Sequence, residues 1–142
     1  MTAAPAEGPV VTRLGSGGPW ETRYGYSRVV RVGDLAVTAG CTATVDGRVV
    51  HVGDAAAQTA EALRIGLAAL AEVGAAPADV VRTRLYVTDR SHADEVGRAH
   101  HAVFGAVRPV ATMVVVAGLI DPEHLVEVEL EAYLPDLDRL AT

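Results

Sequence analysis

The sequence predicts an α+β fold in which two helices cover one face of a mixed sheet. Two segments repeat hydrophobic residues at helical spacing, and several shorter segments alternate hydrophobic with polar residues. The order along the chain is strands, helix, strand, helix and strands, with glycine-containing turns between many of them. This order is typical of helices packed as a layer on one side of a sheet.

The N-terminal third is expected to contain strands joined by tight turns. Residues 1–9 are rich in alanine, proline and glycine and are expected to form a flexible tail. Gly33-Asp34 and Asp46-Gly47 are typical hairpin turns. The strands beside these turns are predicted at 10–14, 28–32, 35–39 and 49–52.

The first long helix is predicted to begin at Asp54, whose side chain suits an N-cap, and to end near Gly74. The face that this helix buries is predicted from an apolar stripe at spacings of three and four. The stripe consists of Ala60, Leu63, Leu67 and Leu70.

The second half is predicted to contain a strand, a helix and two final strands. The strand covers 79–88, with Val81, Thr83, Leu85 and Val87 on one face. A capping box at Ser91 and Asp94 predicts a helix that ends near Phe104. The last strands are expected at 112–116 and 125–134, and in the latter Glu127, Glu129 and Glu131 share one face.

Composition narrows the classes of protein to which this chain can belong. Its 142 residues suit a single domain spanning 1–142, and the net charge of −6 argues against a nucleic-acid partner. All twelve basic residues are arginine, so mechanisms that need a lysine are excluded. No segment has the length and hydrophobicity of a membrane span, and the N-terminus does not resemble a signal peptide, which favours a cytoplasmic protein. No ligand spacing predicts a metal site.

Several segments together resemble the Rid (YjgF-type) family. They are GYSRVVRVGD (25–34), TAG (38–40), HVGD (51–54), DVVRTRLYVTD (79–89), RPVATMVVVAGL (108–119) and VEVELEA (126–132). The resemblance covers about residues 24–132. It implies a chorismate-mutase-like fold, a homotrimer with pockets between subunits, and hydrolysis of 2-imino or 2-enamino acids without metal or organic cofactor. Some relatives are described as ribonucleases, against which the acidic charge of this chain counts.

The resemblance also implies roles for four residues. Tyr26 matches a pocket tyrosine, and Gly40 matches a glycine whose backbone faces the ligand. Thr112 matches a pocket hydroxyl position, and Glu129 matches a carboxylate that positions the attacking water. Glu129 and Tyr26 are therefore the candidate catalytic residues, and Thr112 and Gly40 are candidates for binding substrate. Each also has a structural interpretation, since Glu129 is one of three carboxylates on its face.

The chain departs from the family at the residue that grips the substrate carboxylate. Ala111 stands where relatives have an arginine, and Met113 occupies a pocket position that is often cysteine. Arg108 is a candidate replacement for the arginine, although an extended chain points residues three apart to opposite faces. Without this guanidinium, the substrate is expected to be larger, less charged or something other than an α-amino-acid derivative.

Two other residues near the expected pocket have open interpretations. Cys41 follows Gly40 and is a nucleophile if a base lowers its pKa, or else a small buried hydrophobic residue. Trp20 lies in a predicted glycine-rich loop, where it can stack on a flat ligand or cover apolar surface. Both are counted among the candidate substrate-binding residues.

Three functions follow from these observations. The first is a Rid-like enzyme of altered chemistry that acts by proton transfer, hydration or hydrolysis on an imine, enamine or related carbonyl compound. Such a compound would suit an intermediate of biosynthesis. The second is a trimeric protein that binds or protects a small molecule without turnover, and the third is an ordinary 2-imino acid deaminase.

Overall fold

The computed structural model of the protein describes residues 2–3 and 7–134, which contain a six-stranded mixed sheet and two long helices. This arrangement confirms the α+β prediction. The elements are β1 (Val11–Leu14), α1 (Pro19–Tyr24), β2 (Val29–Val32), β3 (Leu35–Thr38), β4 (Thr44–Val45), β5 (Arg48–Val49), α2 (Ala55–Glu72), β6 (Val80–Val87), α3 (Ala93–Phe104), β7 (Val110–Val115) and β8 (Val126–Tyr133). The predicted tail lies partly outside the described residues, because 1 and 4–6 are not among them.

The large sheet has the strand order β1-β2-β3-β8-β6-β7, and only the β6–β7 pair is parallel. The predicted Gly33-Asp34 turn joins β2 to β3, with Val32 opposite Leu35. Gly33 has a φ of +57°, a conformation that glycine adopts without the steric cost of a Cβ. The Asp46-Gly47 turn joins β4 to β5, which form a separate two-stranded sheet that ends at Val49 rather than at 52.

The segment between β1 and β2 contains a short helix that the sequence analysis did not predict. Pro19 stands at the start of α1, where its missing N–H group costs no hydrogen bond. Gly25 ends the helix with a φ of +77°. Trp20 therefore lies on a helix and not in a glycine-rich loop, which corrects the prediction for its surroundings.

Helix α2 begins as predicted, because the Asp54 side chain accepts a hydrogen bond from the backbone of Ala57. The predicted apolar stripe is only partly right: Leu63 and Leu70 are fully buried, whereas Ala60 is exposed. The buried face of α2 contains several small residues, which allow the helix to approach the sheet closely. It consists of Ala55, Gln58, Thr59, Ala62, Leu63, Gly66, Ala69 and Leu70.

Two local predictions in the second half are wrong for identifiable reasons. Val81 is exposed and Val80 is buried, because a bulge between Val80 and Arg82 shifts the alternation of β6 by one residue. The predicted capping box at Ser91 is absent from the described structure. Asp89 instead accepts a hydrogen bond from the backbone of Ser91, in a short 3₁₀ turn that precedes α3.

The core lies between the helices and one face of the sheet, and β8 contributes Val126, Val128, Leu130 and Ala132 to it. The opposite face of the sheet has no cover within the described chain. We call it the uncovered face; the strand registers assign to it Val30, Val32, Leu35, Val37, Arg82, Arg84, Tyr86, Val110, Thr112, Val114, Glu127, Glu129 and Glu131. None of the described helices is long and apolar enough to cross a membrane.

Candidate functional site

Chemically active groups converge where the chain leaves β3 and runs beside β8. The backbone of Cys41 exchanges hydrogen bonds of 2.7 and 2.9 Å with that of Val128, which places Gly40 beside Glu127. A Cβ atom on residue 40 would lie 2.6 Å from Oε1 of Glu127. A side chain at residue 40 would displace this carboxylate from its position. We call Tyr26, Arg28, Gly40, Cys41 and Glu127 the Gly40 cluster.

Arg28 holds the cluster together from the start of β2. Its Nη1 donates a hydrogen bond to the Gly40 carbonyl oxygen and lies 3.7 Å from the Cys41 sulfur. Its Cζ lies 5.9 Å from the centre of the Tyr26 ring, a cation–π distance. The Arg28 guanidinium therefore fixes the direction in which the Gly40 carbonyl group points.

Glu21 anchors this arrangement from helix α1. It is buried, its Oε2 lies 3.8 Å from Nε of Arg28, and its carboxylate accepts hydrogen bonds from the backbone and hydroxyl of Ser16. Glu21 thus ties the glycine-rich segment 15–18 to Arg28, and Tyr26 follows the C-terminal end of α1.

The surroundings of the cluster raise the pKa of two of its groups. Burial raises the pKa of Glu127, the nearby charge of Glu129 raises it further, and Arg28 partly opposes both effects. Burial also raises the pKa of the Cys41 thiol, despite Arg28. Cys41 donates a hydrogen bond to the Ala39 carbonyl and is 1% exposed, so the structure favours its interpretation as a core residue.

Glu129 lies in a separate network on the uncovered face. Its Oε1 accepts a hydrogen bond of 3.0 Å from the Tyr86 hydroxyl, and its Oε2 lies 3.7 Å from Nη1 of Arg84. Arg84 also donates to Glu131 at 2.7 Å. Burial and the bond to Glu129 raise the pKa of Tyr86. Thr112 lies opposite Arg84 in the strand register, and so belongs to the same row as Glu129.

A second group of predicted residues lies on the other side of the sheet, facing α3. Ala111 is paired with Thr83, which is buried and hydrogen-bonded to Nε2 of His100 at 2.8 Å. Met113 also faces α3, since its Cε would lie 3.9 Å from a Cβ added at Gly97. Alternation along β7 therefore puts Thr112 on the opposite face from Ala111.

Arg108 lies near this second group, just before β7. Its φ is +57°, so the objection based on an extended chain does not apply to it. It lines a surface hollow together with Gly97, His100, His101, Phe104, Gly105 and Pro109. Burial and the neighbouring His101 lower the pKa of His100.

Among the described residues, no hydrogen bond, ion pair or ring contact links Trp20 to the Gly40 cluster or to the residues around β7. Its ring stacks on Tyr24, with 5.5 Å between centroids and an interplanar angle of 4°. Arg23 lies over both rings. Trp20 remains half exposed, on the helix that leads to Tyr26.

The predicted site residues thus form two separate sets. Tyr26, Gly40 and Cys41 meet beside β8, whereas Ala111, Met113 and Arg108 gather around β7. Two strands lie between Cys41 and β7, a separation of roughly 14 Å at the usual strand spacing. Cys41 faces the core side of the sheet, as Ala111 and Met113 do, so it is the distance across two strands that keeps the two sets apart within one chain.

The sequence analysis missed Arg28, Glu21 and Glu127 as members of the site. A signal existed for Glu127, which shares a face with Glu129 on the same strand. Arg28 and Glu21 had none, because their pairing depends on helix α1. Among the described residues, no group of three or more His, Cys, Asp or Glu side chains is arranged to hold a metal ion.

The sequence model described as Endoribonuclease L-PSP matches residues 19–134 of the chain. The chain belongs to this family. An L-PSP relative, an uncharacterized protein of Streptomyces coelicolor, is 42% identical over 128 residues, which are 90% of this chain and 96% of the relative. The Rid-type resemblance inferred from the sequence is thereby confirmed at the level of the family.

Solved structures of similar proteins share the fold. A Mycobacterium tuberculosis protein described as a member of the highly conserved YjgF/YER057c/UK114 family is 50% identical, with a TM-score of 0.80 over 88% of this chain and 100% of its own. A Pseudomonas aeruginosa protein of unknown function is 29% identical, with a TM-score of 0.77 over 89% of this chain and 94% of its own.

Proposed function

We propose that this L-PSP family protein is a Rid-like enzyme of altered chemistry. It acts by proton transfer, hydration or hydrolysis on an imine, enamine or related carbonyl compound, in a cleft between subunits of a homotrimer. The observation that carries the proposal is the Gly40 cluster. There a half-buried carboxylate packs on the Gly40 backbone, and Arg28 both fixes the Gly40 carbonyl group and lies 5.9 Å from the centre of the Tyr26 ring.

These groups suit the hydrolysis of a carbon–nitrogen double bond. Water adds to the carbon, and the nitrogen gains protons and leaves as ammonia or an amine, so that a carbonyl compound remains. A carboxylate accepts the proton of the attacking water and returns it to the departing nitrogen. The Tyr26 phenol is a hydrogen-bond donor for the substrate. This chemistry needs neither metal nor organic cofactor.

The separation of the two sets of site residues supports a site shared between copies. Ala111, Met113 and Arg108 complete a pocket with Tyr26 and Gly40 only if a second chain brings its β7 edge to the Gly40 cluster. The family resemblance implies such pockets, and the uncovered face offers a surface on which copies can pack. We therefore propose a homotrimer whose clefts contain the active sites.

The substrate class follows from Ala111, which offers a methyl group where relatives offer a guanidinium. A small 2-imino acid would lose its anchoring ion pair there, so we propose a larger or uncharged substrate. The net charge of −6 and the carboxylates of the uncovered face disfavour RNA as substrate, although the family's description names an endoribonuclease. A small molecule is the proposed partner, and the cytoplasm the proposed location.

A panel of preformed imines and enamines tests this function. Half of the panel carries an α-carboxylate, including 2-iminobutyrate generated with a dehydratase, and half consists of the matching amides or esters. Release of ammonia is measured with and without the protein, and semicarbazide traps the imine that remains. We expect the uncharged members to be accelerated more than the carboxylates.

The other outcomes separate the two alternative functions. Preference for 2-iminobutyrate would identify an ordinary 2-imino acid deaminase. Absence of turnover on the whole panel, together with tight binding of one member in calorimetry, would identify a binding or protective protein. The protein is also tested on a single-stranded RNA. Cleavage of this RNA at a rate that does not change on further purification of the protein would contradict all three functions.

Ala111→Arg is expected to restore selection of carboxylates. A buried arginine–carboxylate hydrogen bond contributes about 1.5–3 kcal/mol, which corresponds to about a 10–150-fold rise in kcat/KM for 2-iminobutyrate. Ala111→Met is the matched control, because it adds length without charge. An unchanged rate for the correctly folded arginine variant would contradict the position assigned to residue 111.

A further inference from the structure

We infer that Glu127, rather than Glu129, is the carboxylate that exchanges protons with the substrate in this site. The inference deepens the proposed function and rests on it. The family resemblance singles out Glu129, whereas the geometry of this chain points to the carboxylate two residues earlier on β8. The two residues share the uncovered face, but their surroundings differ.

Position is the first argument for Glu127. Its Oε1, Cδ and Cγ atoms would lie 2.6, 2.8 and 3.2 Å from a Cβ at residue 40, so the whole carboxyl group packs on the bare backbone of Gly40. Arg28 directs the Gly40 carbonyl group and faces the same carboxylate. Glu127 therefore lies at the backbone that the resemblance assigns to ligand binding.

Hydrogen bonding is the second argument. Glu129 accepts a bond from Tyr86 and lies near Arg84, and these partners occupy lone pairs of its carboxylate. No group in the described part of the chain donates a hydrogen bond to Glu127, which is nevertheless half buried. Its oxygens remain available to a water molecule or to a substrate.

Charge around Glu127 supports the same assignment. The titratable or charged groups that face it are Arg28 before β2, Cys41 beyond β3, Tyr86 on β6 and Glu129 on β8. Burial and Glu129 raise its pKa, and Arg28 limits the rise. A carboxyl group titrating above the usual glutamate range transfers protons near neutral pH more effectively than an ordinary one.

The proton transfers balance without any further reactant. Ionised Glu127 takes a proton from water as the water oxygen bonds to the imine carbon, and the π electrons of the double bond pass to nitrogen, which takes a proton from solvent. The resulting carbinolamine loses its hydroxyl proton to solvent and forms a carbonyl group as the carbon–nitrogen bond breaks. Glu127 returns its proton to the departing nitrogen and is again ionised.

Three isosteric variants of the full-length protein test the inference. Glu127→Gln, Glu129→Gln and Glu131→Gln alter successive carboxylates of one strand and one face. The substrate is the panel imine that the wild type hydrolyses fastest. We expect kcat to fall about 100–10,000-fold in Glu127→Gln. The fold decrease in Glu129→Gln should be at least about ten times smaller than that in Glu127→Gln, and kcat of Glu131→Gln should stay within about twofold of wild type.

The pH profile distinguishes proton transfer from a structural role. Glu127 is active when ionised, so kcat/KM of the wild type should fall as the pH drops through a pKa above the usual glutamate value. This acid limb should disappear in Glu127→Gln and persist in Glu131→Gln. A profile for Glu127→Gln that keeps the wild-type acid limb would overturn the inference.

Gly40→Ala provides a second test if Glu127→Gln does not fold. The added methyl displaces the Glu127 carboxylate, so kcat should fall at least tenfold, and KM should rise as well because residue 40 is a candidate substrate-binding position. Gly118→Ala is the control, since a methyl there meets no described atom within 4 Å. Full activity of a folded Gly40→Ala protein would count against the inference.

The outcomes for the two proposals are separable. A wild type that turns over no member of the panel contradicts the proposed function and this inference together. A wild type that is active, with Glu129→Gln as impaired as Glu127→Gln or more so, contradicts the inference alone. Glu129, which the family resemblance indicates, would then be the carboxylate that exchanges protons.

Discussion

At the scale of residues, Gln58 shows how one buried polar side chain can connect two parts of a fold. It is the single glutamine of the chain, lies on α2 and is fully buried. Its Nε2 donates to the carbonyl groups of His51 and Glu123, and its Oε1 accepts from the backbone of Leu125 at 2.8 Å. Gln58 therefore fixes the loop that leads into β8, on which Glu127 lies.

Gln58→Leu is expected to reduce the free energy of unfolding by about 2–4 kcal/mol. The substitution keeps a similar volume but leaves buried backbone groups without partners, and each such group costs about 1–3 kcal/mol. Urea denaturation measures the change. Arg64→Gln on the exposed side of the same helix breaks only a surface ion pair and should stay within about 1 kcal/mol of wild type. Equal stability of the two variants would contradict this role.

The sequence identified only part of the site at this scale. Tyr26 and Gly40 follow from the resemblance and lie in the Gly40 cluster. Arg28 and Glu127 join them through contacts that span 12 and more residues of sequence, and no local pattern encodes such contacts.

At the scale of elements, helix α2 shows that small residues can matter more than large ones. Gly66 faces Leu130 of β8, and a Cβ at residue 66 would lie 2.8 Å from Cδ1 of that leucine. Gly97 on α3 is also within a helix, but there a Cβ would meet only Met113, at 3.9 Å. The close approach of α2 to the sheet thus depends on its glycine.

The paired substitutions Gly66→Ala and Gly97→Ala are expected to act in opposite directions. In a helix, alanine is favoured over glycine by about 0.8–1.0 kcal/mol. Gly97→Ala should gain most of this free energy, whereas Gly66→Ala must displace buried Leu130 at a cost of about 1–3 kcal/mol. Thermal and urea unfolding measure both. A Gly66→Ala protein as stable as Gly97→Ala would show that the helix can shift without cost.

The strands show where alternation is a reliable guide and where it is not. On β8, every predicted core residue is buried and every glutamate lies on the other face. On β6 the same reasoning fails at Val81, because the bulge inserts one residue that the partner strand does not match. A bulge depends on pairing with another strand, so the pattern of one strand does not reveal it.

At the scale of the whole molecule, the uncovered face is the largest unexplained feature of a single chain. Its outer strands expose Val32 and Leu35 on one side, and Val110 and Val114 on the other, each at least 38% accessible. Its centre carries the paired arginines and glutamates of β6 and β8. A face of this composition is suited to packing against copies of itself, which agrees with the proposed trimer.

Val114→Asp is expected to convert the proposed trimer into monomers, because it places an unpaired charge among packed valines. Sedimentation velocity at about 10 µM subunit measures the change, and imine turnover should fall with it, since the proposed pocket needs two chains. Val52→Asp is the control, since Val52 is also an exposed valine but lies outside the sheet. A monomeric wild type, or a Val114→Asp trimer, would contradict the proposed assembly.

The sequence by itself determined the family, the α+β class and the faces that most strands present, because these depend on local periodicity and on short matching segments. Tertiary structure decided which carboxylate lies at Gly40, that Ala111 and Thr112 face opposite sides, and that the site residues fall into two sets. The reason is physical: alternation fixes the face of a residue, but only strand pairing fixes its partner in the neighbouring strand.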